Sequence, residues 1–340
     1  PRWRQAPAEA AGAVENIPDE ELWQAHEFAR ARLVRAARHR MKRQYRARNA
    51  AGADIERAGG VLQNDVLTVG FARRFATYKR AALLLRDPHR LRRLLTSEKR
   101  PVQFVFAGKA HPADEGGKDL IRQLVAFARQ EDVRNRLVFL EDYDIALARQ
   151  MVQGVDVWLN TPRRPLEASG TSGMKACLNG ALHLSTLDGW WAEAYDPACG
   201  WAIGEAREFD DTEYQDMVES QALYNLLESE VIPCFYDRGE SALPSQWVKK
   251  CKASITKALR DFTCDRMYRE YREQYYGAAR NAYRELTAGG GAKARGLVRQ
   301  RARFRDYWEG VSVGQPAPDR DVTLLTAGES FEVTVTVELG

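Results

Sequence analysis

A doubly wound parallel α/β sheet is the architecture this 340-residue sequence predicts. Three observations carry it: short apolar runs that read as buried strands, helical segments between them, and basic or glycine-rich loops that follow them. Residues 66–71 give the first strand, followed by Arg73 to Arg80 and a helix through Leu85. Residues 102–107 give the second, with Gly108-Lys109 as a turn and a helix over 117–130. A third unit pairs a strand at 137–140 with a helix at 145–152. The fourth strand, 155–159, leads through a small-residue loop into a helix near Met174, and 181–185 reads as a further strand.

The flanks differ in character. An irregular lead-in over residues 1–18 precedes an amphipathic helix ending near Arg48, with Val34, Ala37, Met41 and Tyr45 at helical spacing. Between Arg30 and Arg48 lie nine Arg or Lys and no acid. Such a face could meet nucleic acid or a membrane surface, but few aromatics interleave with it, and packing on a neighbouring domain is the better reading. After the sheet, Trp190-Trp191 opens an aromatic, glycine-containing loop to Gly204. Helices follow over 216–230, 245–262 and 266–285. A linker at 288–292 then leads to a strictly alternating strand, 331–338, which with 322–325 starts an incomplete C-terminal β extension. The expected organisation is therefore 1–60 as lead-in and basic helix, 61–287 as the sheet domain with its C-terminal helices, and 288–340 as linker and β start.

Composition narrows the function classes. The chain is 44% hydrophobic and 29% charged with net charge +4, the balance of a globular protein. No apolar run approaches membrane-spanning length and no signal peptide opens the chain. Five cysteines without CxxC spacing, and histidines without ligand pairing, favour a reduced, cytoplasmic setting without a structural metal. Opening on Pro1, the chain is expected to be a fragment of a longer polypeptide. Gly108-Lys109 is not a Walker loop, since Gln103 and Ala110 occupy its outer positions, and no GxSxG elbow is present.

The loops after the strands should converge on one crevice, because ligands of such sheets gather at the strands' carboxyl ends. Chief among them is Glu167-Ala168-Ser169-Gly170-Thr171-Ser172-Gly173-Met174-Lys175. Its small residues let the backbone approach a ligand closely, and the amides of a helix start offer an anion site. Burial of Lys175 behind that cradle would lower its pKa and make its amine a usable nucleophile. A phosphorylated aldehyde held by the lysine suits both features. Arg73, Arg74 and Lys79, on a turn and first helical residues beyond a strand, add three cations that can hold more than one phosphate.

These motifs together resemble the α-glucan (glycogen) phosphorylases. The cradle, followed by Leu178-Asn179-Gly180-Ala181-Leu182 and Asp188-Gly189, is similar to their pyridoxal phosphate region. Arg73-Arg74 with Tyr78-Lys79-Arg80, Gly108-Lys109-Ala110 with Pro112, and Phe139-Leu140-Glu141-Asp142-Tyr143 follow in matching order. The likeness is greatest to the shorter bacterial phosphorylases and covers about residues 15–290. It implies the C-terminal half of a GT-B glycosyltransferase fold. The implied reaction is reversible phosphorolysis of a terminal α-1,4-glucosyl bond by orthophosphate, giving glucose 1-phosphate with retention.

By the same resemblance Lys175 holds pyridoxal 5′-phosphate, whose phosphate rather than ring relays the proton. Gly170, Thr171 and Ser172 supply backbone donors, Arg73 meets the cofactor phosphate and Tyr143 lines its pocket. Arg74 and Lys79 bind the substrate phosphate, and Glu167 takes a glucosyl hydroxyl. Three departures stand out: Arg73 replaces the usual Lys, Ala76-Thr77 replaces His-Glu, and Ser172 replaces a glycine of the cradle. Implied partners are α-1,4-glucan and orthophosphate or glucose 1-phosphate, with no nucleic acid or membrane; homo-oligomerisation stays open. Two rival readings remain: a nucleotide-sugar-dependent glycosyltransferase resembling glycogen synthase, and a non-catalytic glucan- or anion-binding module.

Overall fold

The computed structural model describes residues 2–239 and 242–339. Pro1, on which the expectation of a longer polypeptide rests, lies outside them. The chain divides into two compact units, one through Cys264 and one from Asp265 onward.

The first unit is built on a six-stranded sheet: β1 (Leu67–Phe75), β2 (Val102–Ala110), β3 (Leu137–Leu140), β4 (Val157–Asn160), β5 (Leu182–Thr186) and β6 (Gly200–Ile203). Their spatial order is β3-β2-β1-β4-β5-β6 and every pairing is parallel. The chain builds outward from β1 to β3, then returns to lay β4 against β1's other side. That reversal creates a crevice beyond the carboxyl ends of β1 and β4.

Both sheet faces are apolar because alternate residues of each strand enter different cores. Phe104, Phe106, Leu137, Phe139, Val157 and Leu159 join one core. Val105, Ala107, Val138, Leu140 and Trp158 join the other. This explains runs without polar alternation, as strands covered on both faces require. Gly70 makes room for Val155, which enters the second core just before β4, since a Cβ there would lie 2.6 Å from Val155 Cγ1.

The basic helix spans Asp19–Ala47 and packs Leu33, Val34, Ala37 and Met41 into the second core. Its arginines serve the fold. Arg38 donates to the carbonyls of Val61 and Leu62 at 2.8 and 2.6 Å, and Arg40 donates to those of Glu141 and Asp142 at 2.9 and 2.8 Å. Helices Glu115–Ala128 and Ile145–Gly154 start where Asp114 and Asp144 accept from the amides of Gly117 and Leu147 at 2.8 and 2.7 Å.

Several expectations need correction. The lead-in is not irregular but holds short helices, Arg2–Gln5 and Pro7–Ala13. β1 and β2 run further than expected, so Arg73, Arg74, Gly108 and Lys109 lie in strands rather than turns. Gly108 is required there by close approach: a Cβ would sit 2.1 Å from the Arg73 carbonyl oxygen. The helix expected through Leu85 is two 3-10 turns, Thr77–Lys79 and Leu83–Arg86. A short helix, Trp190–Ala194, and the strand β6 replace the expected aromatic loop.

In the second unit, a helix from Gly277 to Tyr307 is broken by non-helical Ala288 to Gly291, where the linker was expected. The anticipated single strand is two short ones, Val333–Thr334 and Val337–Leu339, and Val322–Leu324 forms a 3-10 turn. Val337–Leu339 pairs antiparallel with Val311–Val313.

Candidate active site

At the crevice, one carboxylate gathers two cations. Glu167 Oε2 accepts from Lys79 Nζ at 2.8 Å and from Arg73 Nη2. Arg73 leaves β1 on the side of β4, where Nη1 also donates to Asn160 Oδ1. Asn160 Nδ2 in turn donates to Ser185 Oγ of β5 at 3.0 Å. Arg73 Nε is buried without a hydrogen-bond partner. Burial pushes the Glu167 carboxyl up, but Lys79 and Arg73 outweigh that and hold it below the usual carboxylate range. Burial lowers the Arg73 guanidinium, with Glu167 pulling the other way.

The strand end dictates which cations meet. Successive residues of a strand point to opposite faces, so Arg73 enters the cluster while Arg74 stays exposed on the other side. Arg74 is in register with the exposed Lys109 at the end of β2. The two adjacent arginines therefore leave the strand on opposite faces. Tyr143, half-buried after β3, has its hydroxyl pKa raised by burial, with the charge of Arg73 opposing.

The cradle is held from below. Asp188 accepts from the Glu167 amide through Oδ2 and from the Gly189 amide through Oδ1, both at 2.9 Å. The Trp190 amide donates to the Ser169 carbonyl at 2.8 Å. Gly189 has φ +55°, and a Cβ on it would lie 2.6 Å from that same carbonyl. Gly170, in the left-handed region at φ +80°, precedes the helix Thr171–Leu178, which has no side-chain cap. The Gly173 amide turns back to the Gly170 carbonyl at 3.2 Å, which leaves the amides of Thr171 and Ser172 to water or to a ligand. Beneath, a Cβ on Gly173 would lie 2.6 Å from both His183 Cε1 and Trp190 Nε1. Burial, reinforced by Arg73, pushes the His183 pKa down to about 3 and keeps the ring neutral.

Lys175 departs from expectation. It is exposed, on the opposite side of its helix from buried Gly173, Ala176 and Cys177. Its amine is accessible beside the cradle rather than buried behind it. Thr171 is also exposed, and Ser172 and Gly170 are half-buried. Trp190 and Trp191 are core residues, 4% and 1% exposed, and Trp191 Nε1 donates to the Trp201 carbonyl at 3.0 Å. They offer no glucan platform.

Sequence reasoning missed Asn160 and Asp188 as members of the site. The first had a signal, a polar residue ending the apolar run of β4 at the sheet's carboxyl edge. The role of Asp188 depends on a turn that brings distant backbone amides to one carboxylate.

A parallel doubly wound sheet with a cationic crevice at its switch point defines a Rossmann-like α/β domain of the glycosyltransferase type. The family described as carbohydrate phosphorylase matches residues 16–199. Over all of this chain the sequence is 41% identical to a glycogen phosphorylase of Mycobacterium tuberculosis (strain CDC 1551 / Oshkosh), covering 41% of that protein. It is 44% identical to the Aquifex aeolicus glycogen phosphorylase, over 77% of this chain and 38% of that protein. For the maltodextrin phosphorylase of Thermococcus litoralis the identity is 42%, over 88% of this chain and 35% of that protein. The chain belongs to the carbohydrate phosphorylase family. It spans about two-fifths of the length of these relatives.

Proposed function

We propose that this chain supplies the cofactor- and phosphate-binding side of an α-1,4-glucan phosphorylase, which transfers a terminal glucosyl unit to orthophosphate and releases glucose 1-phosphate. One observation carries the reading: Arg73, Lys79, Glu167 and an uncapped helix start converge at the sheet's switch point, beside an accessible Lys175.

The donor set fits pyridoxal phosphate. Arg73 keeps a buried Nε without a partner, matching an anion, and Tyr143 gives an aromatic wall near it. The amides at Gly170, Thr171 and Ser172 can take phosphate oxygens, and Lys175 can bind the aldehyde. When bound, the cofactor would supply a phosphate acid for the reaction. The chain's own residues do the rest. Two phosphate groups brought together repel, and Lys79 with Arg73 lowers that energy in a site partly closed to water. Arg74 and Lys109 add positive charge at the rim. Glu167, kept ionised by its two cations, is an acceptor for a glucosyl hydroxyl and fixes both cations in place.

The test is phosphorolysis of maltodextrin by the full-length polypeptide, run beside Lys175→Ala, with bound pyridoxal phosphate followed by absorbance. The unaltered protein should carry the chromophore and form glucose 1-phosphate, and Lys175→Ala should lose both. Equal activity and equal absorbance in the two proteins would refute the reading.

A further inference from the structure

We infer that Arg80 is a positioning residue for Lys79, acting through the turn that carries it; the inference rests on the phosphorolysis reading above. Arg80 directly follows the single 3-10 turn Thr77–Lys79 and adopts a left-handed backbone, φ +45° and ψ +46°. That conformation is unfavourable for a residue with a side chain and persists where surrounding structure enforces it.

The enforcement is visible. The Arg80 side chain is buried and reaches four acceptors. Nε donates to the Thr161 carbonyl and Nη2 to the Pro162 carbonyl, each at 3.0 Å. Nη1 donates to Asp216 Oδ1 at 3.0 Å, and Nη2 also meets the Glu219 carboxylate. In the reverse direction, Thr161 Oγ1 donates to the carbonyls of both Lys79 and Arg80 at 3.1 Å. The Arg163 amide donates to the Tyr78 carbonyl at 2.7 Å. Arg163 closes the network, donating to Asp216 at 2.8 Å and to Gln215 at 2.9 Å. Gln215 donates to the other oxygen of Glu219 at 3.0 Å.

The network therefore stitches three pieces together: the Lys79 turn, the exit of β4, and the helix Thr212–Leu226. Two arginines and two carboxylates balance, so its contribution to the field at the crevice is small. Its contribution is geometric. Lys79 is a long, flexible side chain, and the direction in which it leaves the backbone decides whether Nζ stands over Glu167 or elsewhere. A guanidinium is the group that can satisfy two carbonyls and two carboxylates at once; a lysine ammonium in its place cannot span them.

The test uses the full-length polypeptide and a double-mutant cycle with Lys79→Gln. Arg80→Lys should raise KM for orthophosphate about tenfold or more while KM for maltodextrin moves less than about twofold. Once Lys79 is gone, Arg80→Lys should add nothing, so the double variant should match Lys79→Gln alone. Glu219→Gln, which keeps shape and hydrogen bonding, should shift KM for orthophosphate in the same direction by less. It carries the test if Arg80→Lys does not fold. Multiplying effects in the cycle, or equal rises in both KM values, would overturn the inference and leave the phosphorylase reading standing. Absence of phosphate-dependent glucose 1-phosphate from the unaltered protein would remove both.

Discussion

Two carboxylates bracket β4, and they are built for opposite ends. Asp156 precedes the strand and is fully buried. It accepts from the Thr68 amide at 2.7 Å, contacts His26 Nε2 at 2.9 Å and pairs with Arg30. Glu167 lies past the strand's carboxyl end, about one-tenth exposed, and among the described residues its carboxylate meets the two side-chain cations alone. In both, burial pushes the carboxyl up and neighbouring cations bring it below the ordinary range. What separates them is closure. Asp156 ties side chains to the backbone of β1 and leaves no route for a ligand. Glu167 holds two long side chains at a crevice where phosphate oxygens can compete for them. A buried carboxylate locked to main chain is structural; one shared among side chains at a strand's exit is placed for chemistry.

The sharpest way to break this contrast is to remove each carboxylate. Asp156→Ala takes the buried counter-ion from Arg30, leaving it the more distant, half-exposed Glu27 at 3.8 Å, and should destabilise the fold by about 3–5 kcal/mol, read by urea or thermal unfolding. Glu167→Gln should lower kcat/KM about a hundredfold while costing less stability than Asp156→Ala, because Gln keeps an acceptor for Arg73 and Lys79 at the crevice. The stability that Glu167 does contribute is present above its ordinary value of 4.5 and is lost as pH falls through its lower folded value. If Glu167→Gln melts as early as Asp156→Ala, the two ends of β4 do not differ as argued.

A smaller effect tests the floor of the cradle. The folded value of His183 is about 3 against an ordinary 6.5, so the native state binds fewer protons than the unfolded chain between those limits. Stability should therefore fall as pH drops from 6.5 toward 3, by at most about 1.4 kcal/mol per pH unit from this group. Comparing melts of the unaltered protein and His183→Asn across that window isolates the slope. Identical slopes would mean that His183 is not held neutral under the cradle.

Much of this was legible in the residues. The continuous apolar runs gave five of the sheet's strands, and a small-residue loop at a strand exit gave the cradle. β6 was not legible, because Gly200 to Ile203 sits in an aromatic stretch whose burial depends on the neighbouring β5. The facing of Arg73 and Arg74 was also hidden. It turns on β1 continuing to Phe75, and that extension follows from pairing with β2 rather than from local propensity. The exposure of Lys175 was lost for a similar reason. Which side of an eight-residue helix meets the sheet is set by Gly173 fitting against His183 and Trp190, not by spacing in the cradle itself.

The shortness of β4 has a consequence for how such a chain can drift. Asp156 is held at one end by main-chain bonds to Thr68 and from Leu182, and Asn160 is held at the other by Arg73 and Ser185. The count between them is therefore fixed. One residue gained or lost there would turn Trp158 out of its core and Asn160 away from Arg73. Insertions and deletions should accumulate instead in the exposed loops and in the second unit, so lineages of this domain should keep these five positions unchanged in number.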